Sequence, residues 1–109
     1  MTQPVEVEER EFVCEGEIRL GDLNTAIKVR VYRRISDSKI IVVQSHFLKT
    51  AIQYLPYAVH EMSQAEPSAA LKELERTLVH FYEQAVRRGY TPSDSWLVPN
   101  TSYNSSKCM

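Results

Sequence analysis

The side chains able to do chemistry are few and scattered. His46, Tyr57 and His60 lie close in the chain, and on one helix through residues 46–62 they would share a flank with Lys49 and Gln53. Such a flank could line a polar cleft in which imidazole and phenol act as acid and base. A solvated helix side is the plainer reading. His80 and Glu83 stand one helical turn apart, but on a polar face, and the denser ligand sets that define zinc sites are missing there. Cys14 belongs to the apolar side of an alternating segment, where a thiol is packed and inert. Cys108 sits in a polar terminal stretch that cannot hold a reacting geometry. With three glycines in the chain there is no phosphate-cradling loop, and there is no Gly-x-Ser-x-Gly. No catalytic, cofactor-binding or metal-ligating residue is assigned, and the balance is against an enzyme. A small enzyme with His46 and His60 in a cleft stands third among the functional readings.

A basic cluster suggests a second chemistry. Lys28, Arg30, Arg33, Arg34 and Lys39 fall within a stretch, residues 23–50, that holds six bases and one acid, whereas residues 1–22 hold seven acids and two bases. Tyr32 lies among these cations and could stack on a base, so Tyr32, Arg33, Arg34 and Lys39 are the candidate nucleic-acid contacts. Against this reading, pairing of the two stretches would cancel the field a phosphate backbone needs, and the formal net charge of the chain is −1. An accessory nucleic-acid-binding protein is therefore the alternative reading.

The elements that would position these residues follow from periodicity. Phe12, Cys14, Gly16, Ile18 and Leu20 alternate with Val13, Glu15, Glu17 and Arg19, and a second alternating run covers residues 25–34. Gly21-Asp22-Leu23-Asn24 between them is turn-like. Setting Leu20 against Thr25 puts Ile18 on Ile27, Gly16 on Val29 and Cys14 on Val31. The other side then pairs Glu17 with Lys28, Glu15 with Arg30, Val13 with Tyr32 and Glu11 with Arg34, a register that a one-residue slip would destroy. Lys39 to Ser45 is β-branched and apolar on both sides, which calls for cover on both faces. The next segment, Trp96-Leu97-Val98, or a second copy of the chain could supply it.

From His46 to Gln64 the residues Leu48, Ile52, Leu55, Val59 and Met62 keep a 3.5-residue rhythm, which predicts an amphipathic helix, kinked or split at Pro56. Pro67 to Arg88 predicts a long helix: Ala70, Leu71, Leu74, Leu78, Phe81, Tyr82, Ala85 and Val86 share one face, Pro67 suits the first turn, and Gly89 the left-handed cap. Trp96-Leu97-Val98 reads as a short strand or hook ended by Pro99.

These elements predict one α+β domain over residues 11–99: a three-stranded antiparallel meander, a kinked or split helix, and a long amphipathic helix packed on the sheet. Residues 1–10 read as a loose acidic arm and residues 100–109 as a disordered polar tail. No apolar run approaches the roughly 20 residues needed to span a bilayer, and without a signal-like start the expected compartment is cytoplasmic. Six tyrosines with Phe47 and Trp96 exceed what one helix face absorbs. The first functional reading is accordingly a small non-enzymatic interaction or regulatory domain, with a protein partner or a homodimer contact through Ile41, Val43, Val79, Val86 and Trp96. No cofactor is expected.

Overall fold

The structure, a computed structural model, describes residues 9–63 and 65–103. Strands β1 (Arg10–Ile18), β2 (Ile27–Arg34), β3 (Ile40–Gln44) and β5 (Glu61–Met62) form one antiparallel sheet in the order β1-β2-β3-β5. Strands β4 (His46–Leu48) and β6 (Leu97–Pro99) form a second, two-stranded sheet. Helix α1 (Pro67–Arg87) lies across β1 and β2.

The hairpin register follows the alternation as far as Cys14: Ile18 opposes Ile27, Glu17 Lys28, Gly16 Val29, Glu15 Arg30 and Cys14 Val31. Beyond it the register shifts, so that Phe12 opposes Tyr32, Glu11 Arg33 and Arg10 Arg34. Val13 is the extra residue of a β-bulge. The bulge turns Phe12 away from the helix side, where strict alternation would put it, and brings its ring edge-on to Tyr32 at 5.8 Å. It also undoes the expected Glu11–Arg34 pair.

The core is the helix side of the sheet. Ile18, Ile27, Val29, Val31, Ile40 and Val42 meet Ala70, Leu74, Leu78 and Ala85, all buried. Gly16 permits the closest approach, since a Cβ there would lie 3.1 Å from a Leu71 methyl. Pro67 opens the helix, and Gly89, at φ 93°, ends it while its amide donates to the Val86 carbonyl. Gly21 holds the hairpin turn at φ 49°, and a Cβ there would fall inside the Tyr82 hydroxyl. Gly21→Ala is therefore expected to cost about 1–2 kcal/mol in a urea melt, from left-handed strain and displacement of Tyr82.

Two expectations need correction. The sheet has four strands, because β5 adds to the outer edge of β3. Residues 46–62 form no helix, and α1 is the one α-helix among the described residues. The segment instead runs as β4, an irregular loop, and β5. Its backbone groups find partners on side-chain amides, which compete with helical hydrogen bonds. Gln44 Nε2 donates to the His46 carbonyl and Gln44 Oε1 accepts from the Val59 amide; Gln53 spans the loop in the same way. Phe47 and Leu48 pair with Val98 and Leu97, so the expected terminal hook is a strand that holds β4 extended.

The C-terminal end packs more than composition suggested. Arg10 of the expected arm begins β1, and residues 1–8 lie outside the described residues. Of the expected tail, residues 100–103 are described: Asn100 Nδ2 donates to the Gln44 carbonyl at 2.8 Å, and Tyr103 is buried. Residues 104–109, with Cys108, lie outside the described residues.

Candidate functional site

Two surface features combine apolar groups with fixed geometry. The first is the loop of residues 49–56. Its start is tied to the small sheet by the Lys49 amide on the Trp96 carbonyl at 2.7 Å. Gln53 then acts as a clamp: its Oε1 accepts from the Thr50 amide at 2.8 Å, and its Nε2 donates to the Leu48 carbonyl at 2.9 Å. The Tyr57 amide closes the loop on the same Leu48 carbonyl at 2.8 Å. At the tip, Tyr54 is 93% exposed and Leu55 68% exposed. An aromatic and a branched aliphatic side chain are thus held in solvent on a backbone that has already lost its freedom.

The second feature is a cleft of about 290 Å³ on the sheet face away from α1. Val43, Phe47 and Val59 supply apolar wall, and Arg10, His60 and Ser102 supply polar rim. The Arg10 guanidinium stands 4.3 Å over the Tyr32 ring. Beside the cleft, Arg30 stacks on Tyr103 at 3.8 Å and donates to its carbonyl at 2.9 Å, while the Tyr103 hydroxyl meets Glu15 at 3.3 Å. These contacts hold residues 100–103 against the sheet as one wall of the cleft.

The residues singled out from sequence are dispersed. His60 lines the cleft, whereas His46 lines a separate groove with Lys28 and Tyr103. The His46 Nδ1 is 2.9 Å from the Ser45 hydroxyl, which accepts the Lys28 amide. Tyr57 packs on Phe81 at 5.3 Å, on the core side. Ile41 and Trp96 are buried within the chain, Val43 and Val79 are half-buried, and Val86 is exposed. Tyr32 is buried beneath Arg10 and Phe12. Arg34 pairs with Glu61 at 2.5 Å and Asp37 at 3.0 Å, Lys39 reaches Glu61 at 3.4 Å, and Arg33 reaches the carbonyls of Ser38 and Ala65 at 3.5 Å. The sequence singled out none of Arg10, Phe47, Tyr54 and Leu55 as site residues. A tyrosine and a leucine just before a proline were the available signal, and Leu55 was hidden by its fit to the helical rhythm. Among the described residues, no three of His, Cys, Asp or Glu converge as metal ligands.

The ion pairs set a pH dependence. The Arg34 hydrogen bond holds the Glu61 carboxyl below its ordinary value of 4.5, and the Lys39 amide, followed by Arg34, holds Asp37 below 3.8. Depressed carboxyl values stabilise the fold above the ordinary range and lose that contribution as pH falls through the folded-state values. Burial pushes the Tyr103 phenol above 10.0. The unfolded chain then ionises first, and stability falls as pH rises through and beyond that value. Thermal melts are expected to show a plateau between these limbs, with Glu61→Gln flattening the acid limb and Tyr103→Phe the alkaline one.

No helix among the described residues is long and apolar enough to cross a membrane. Comparison with known protein families, with curated proteins and with solved structures finds no match for this chain.

Proposed function

We propose that this chain is a small non-enzymatic protein-interaction domain of the cytoplasm that self-associates through the tip of loop 49–56. The observation that carries the reading is the exposure of Tyr54 and Leu55 on a backbone clamped by Gln53. Exposed large apolar groups on a rigid element bind with little further ordering cost, which is the usual condition of an interface anchor. Burying each of the two side chains is worth about 1.5–3 kcal/mol. The earlier candidates on β3 and at Trp96 support an interface less, because Ile41 and Trp96 already find their cover within the chain. Val86, 43% exposed in the last turn of α1, and Tyr90, 47% exposed just beyond it, are further exposed apolar groups at that helix end.

A nucleic-acid role draws less support, since Glu61 and Asp37 stand against Arg34 and Lys39. An enzyme built on the two histidines would need them in one pocket, and they line different ones.

Sedimentation velocity from about 5 to 300 µM tests the reading, a span that brackets dissociation constants typical of weak dimers. The wild type is expected to shift from monomer to dimer, and Tyr54→Ser with Leu55→Ser is expected to weaken association about tenfold or more at unchanged melting temperature. A wild type that stays monomeric throughout, or a variant that associates equally well, overturns it.

A further inference from the structure

We propose that the outer edge of β1 takes an added strand from a partner protein, an extended segment that alternates basic and apolar residues. This surface is separate from the loop tip, and the inference does not rest on self-association. β1 is the long outer edge of the main sheet: it has nine residues and ends the strand order, and among the described residues no strand pairs with its outer side. The opposite edge, β5, has two residues. A sheet edge presents a row of backbone donors and acceptors, and an extended peptide satisfies them by adding a strand. A groove of about 410 Å³ lies at this edge, lined by Glu15, Gly16, Glu17 and Lys28.

The two faces of the edge set what the added strand must carry. Glu15 and Glu17 are exposed two residues apart, on the side away from α1. Arg30 and Lys28 stand opposite them on β2, so basic residues on an added strand would place each glutamate between two cations. Glu17 meets Arg19 at 3.8 Å and Glu15 accepts from the Tyr103 hydroxyl at 3.3 Å, contacts long enough to leave both carboxylates open to a closer cation. On the helix side, Leu71 packs over Gly16 and stays half-buried, which leaves apolar surface beside the strand. A lysine or arginine against each glutamate, with an apolar residue between them toward Leu71, matches both faces. A second copy of the chain does not. Two antiparallel β1 edges centred on Glu15, Gly16 or Glu17 oppose glutamate to glutamate, a destabilising arrangement. The bulge at Val13 ends the regular stretch and confines the pairing to residues 14–18.

Three capped peptides of roughly eight residues, long enough to span residues 14–18, are titrated into the 15N-labelled wild type. One alternates lysine and valine, one alternates glutamate and valine, and the third is the lysine peptide with its backbone amides N-methylated. The lysine peptide is expected to bind with a dissociation constant of about 0.1–1 mM, with shifts at residues 14–18 and at Leu71. The glutamate and N-methylated peptides should bind at least about tenfold more weakly. Added salt should weaken the lysine peptide, because the carboxylates it meets are exposed. Glu15→Gln with Glu17→Gln should reduce its advantage over the glutamate peptide to about threefold or less. Equal binding of the lysine and glutamate peptides, equal binding of the N-methylated peptide, shifts away from β1, or no binding up to about 10 mM overturns the proposal. Shifts at residues 14–18 that follow protein concentration without any peptide would give the edge to a second copy and overturn it too. The peptides are compared on the wild type, so the test stands even where the double variant does not fold.

Discussion

Replacing Gln44 with leucine is expected to lower stability by about 2–4 kcal/mol, although the volume hardly changes and the new side chain is apolar. Gln44 is 1% exposed and sits where β3 ends. Its amide donates to the His46 carbonyl at 3.2 Å and accepts from the Val59 amide at 3.4 Å. Leucine would fill the space, so little cavity forms. What it removes is the partner of two half-buried backbone groups, and each left unpaired costs about 1–3 kcal/mol. A urea melt with an unchanged slope and a lower midpoint would confirm the role. A neutral or stabilising result would mean that water or another group satisfies both partners.

Leu74→Ala is expected to lose about 2–5 kcal/mol, the range for emptying a buried leucine site. Leu74 is fully buried between the helix axis and the sheet, in one cluster with Ala70, Leu78, Val29 and Val31. A central strand, β2, hydrogen-bonded on both sides, and a 21-residue helix cannot easily close on the space. Val86→Ala on the same helix is the control, because Val86 is 43% exposed and should change stability by no more than about 0.5 kcal/mol. Comparable losses at the two positions would place the helix face wrongly.

These two positions show what could be read from the sequence. The face that contains Leu74 repeats at helical steps, so the helix and its Pro67 start were legible, although Val86, expected on that face, is exposed. The hairpin was legible for a related reason: Ile18–Ile27 and Glu17–Lys28 satisfy packing and charge in one register only. The bulge at Val13 was not, because Phe12 fits either side by type, and its contacts with Tyr32 come from tertiary structure.

Residues 46–62 misled through the same periodicity that served elsewhere. Leu48 and Met62 are buried, Ile52 and Val59 half-buried, and Leu55 faces solvent, so the 3.5-residue rhythm describes no common face. The order of the segment comes from Gln44, Gln53 and Asn100, single amides bonding to backbone both near and far along the chain, and such bonds leave no repeat in a sequence. The candidate site inherited this blindness. His60 lines the cleft without the His46 and Tyr57 that the sequence reading placed beside it on a helix flank, and Arg10 reaches the cleft from the other edge of the sheet through the bulge.

The proposed contact surface of the protein is the clamped loop carrying Tyr54 and Leu55. A dilution series of the 15N-labelled wild type tests it directly, since amides at a self-association interface shift with protein concentration. Concentration-dependent shifts centred on residues 50–57, and lost in Gln53→Ala, are the predicted result. Shifts centred on Val79 and Val86, on β3, or nowhere in the chain would contradict it.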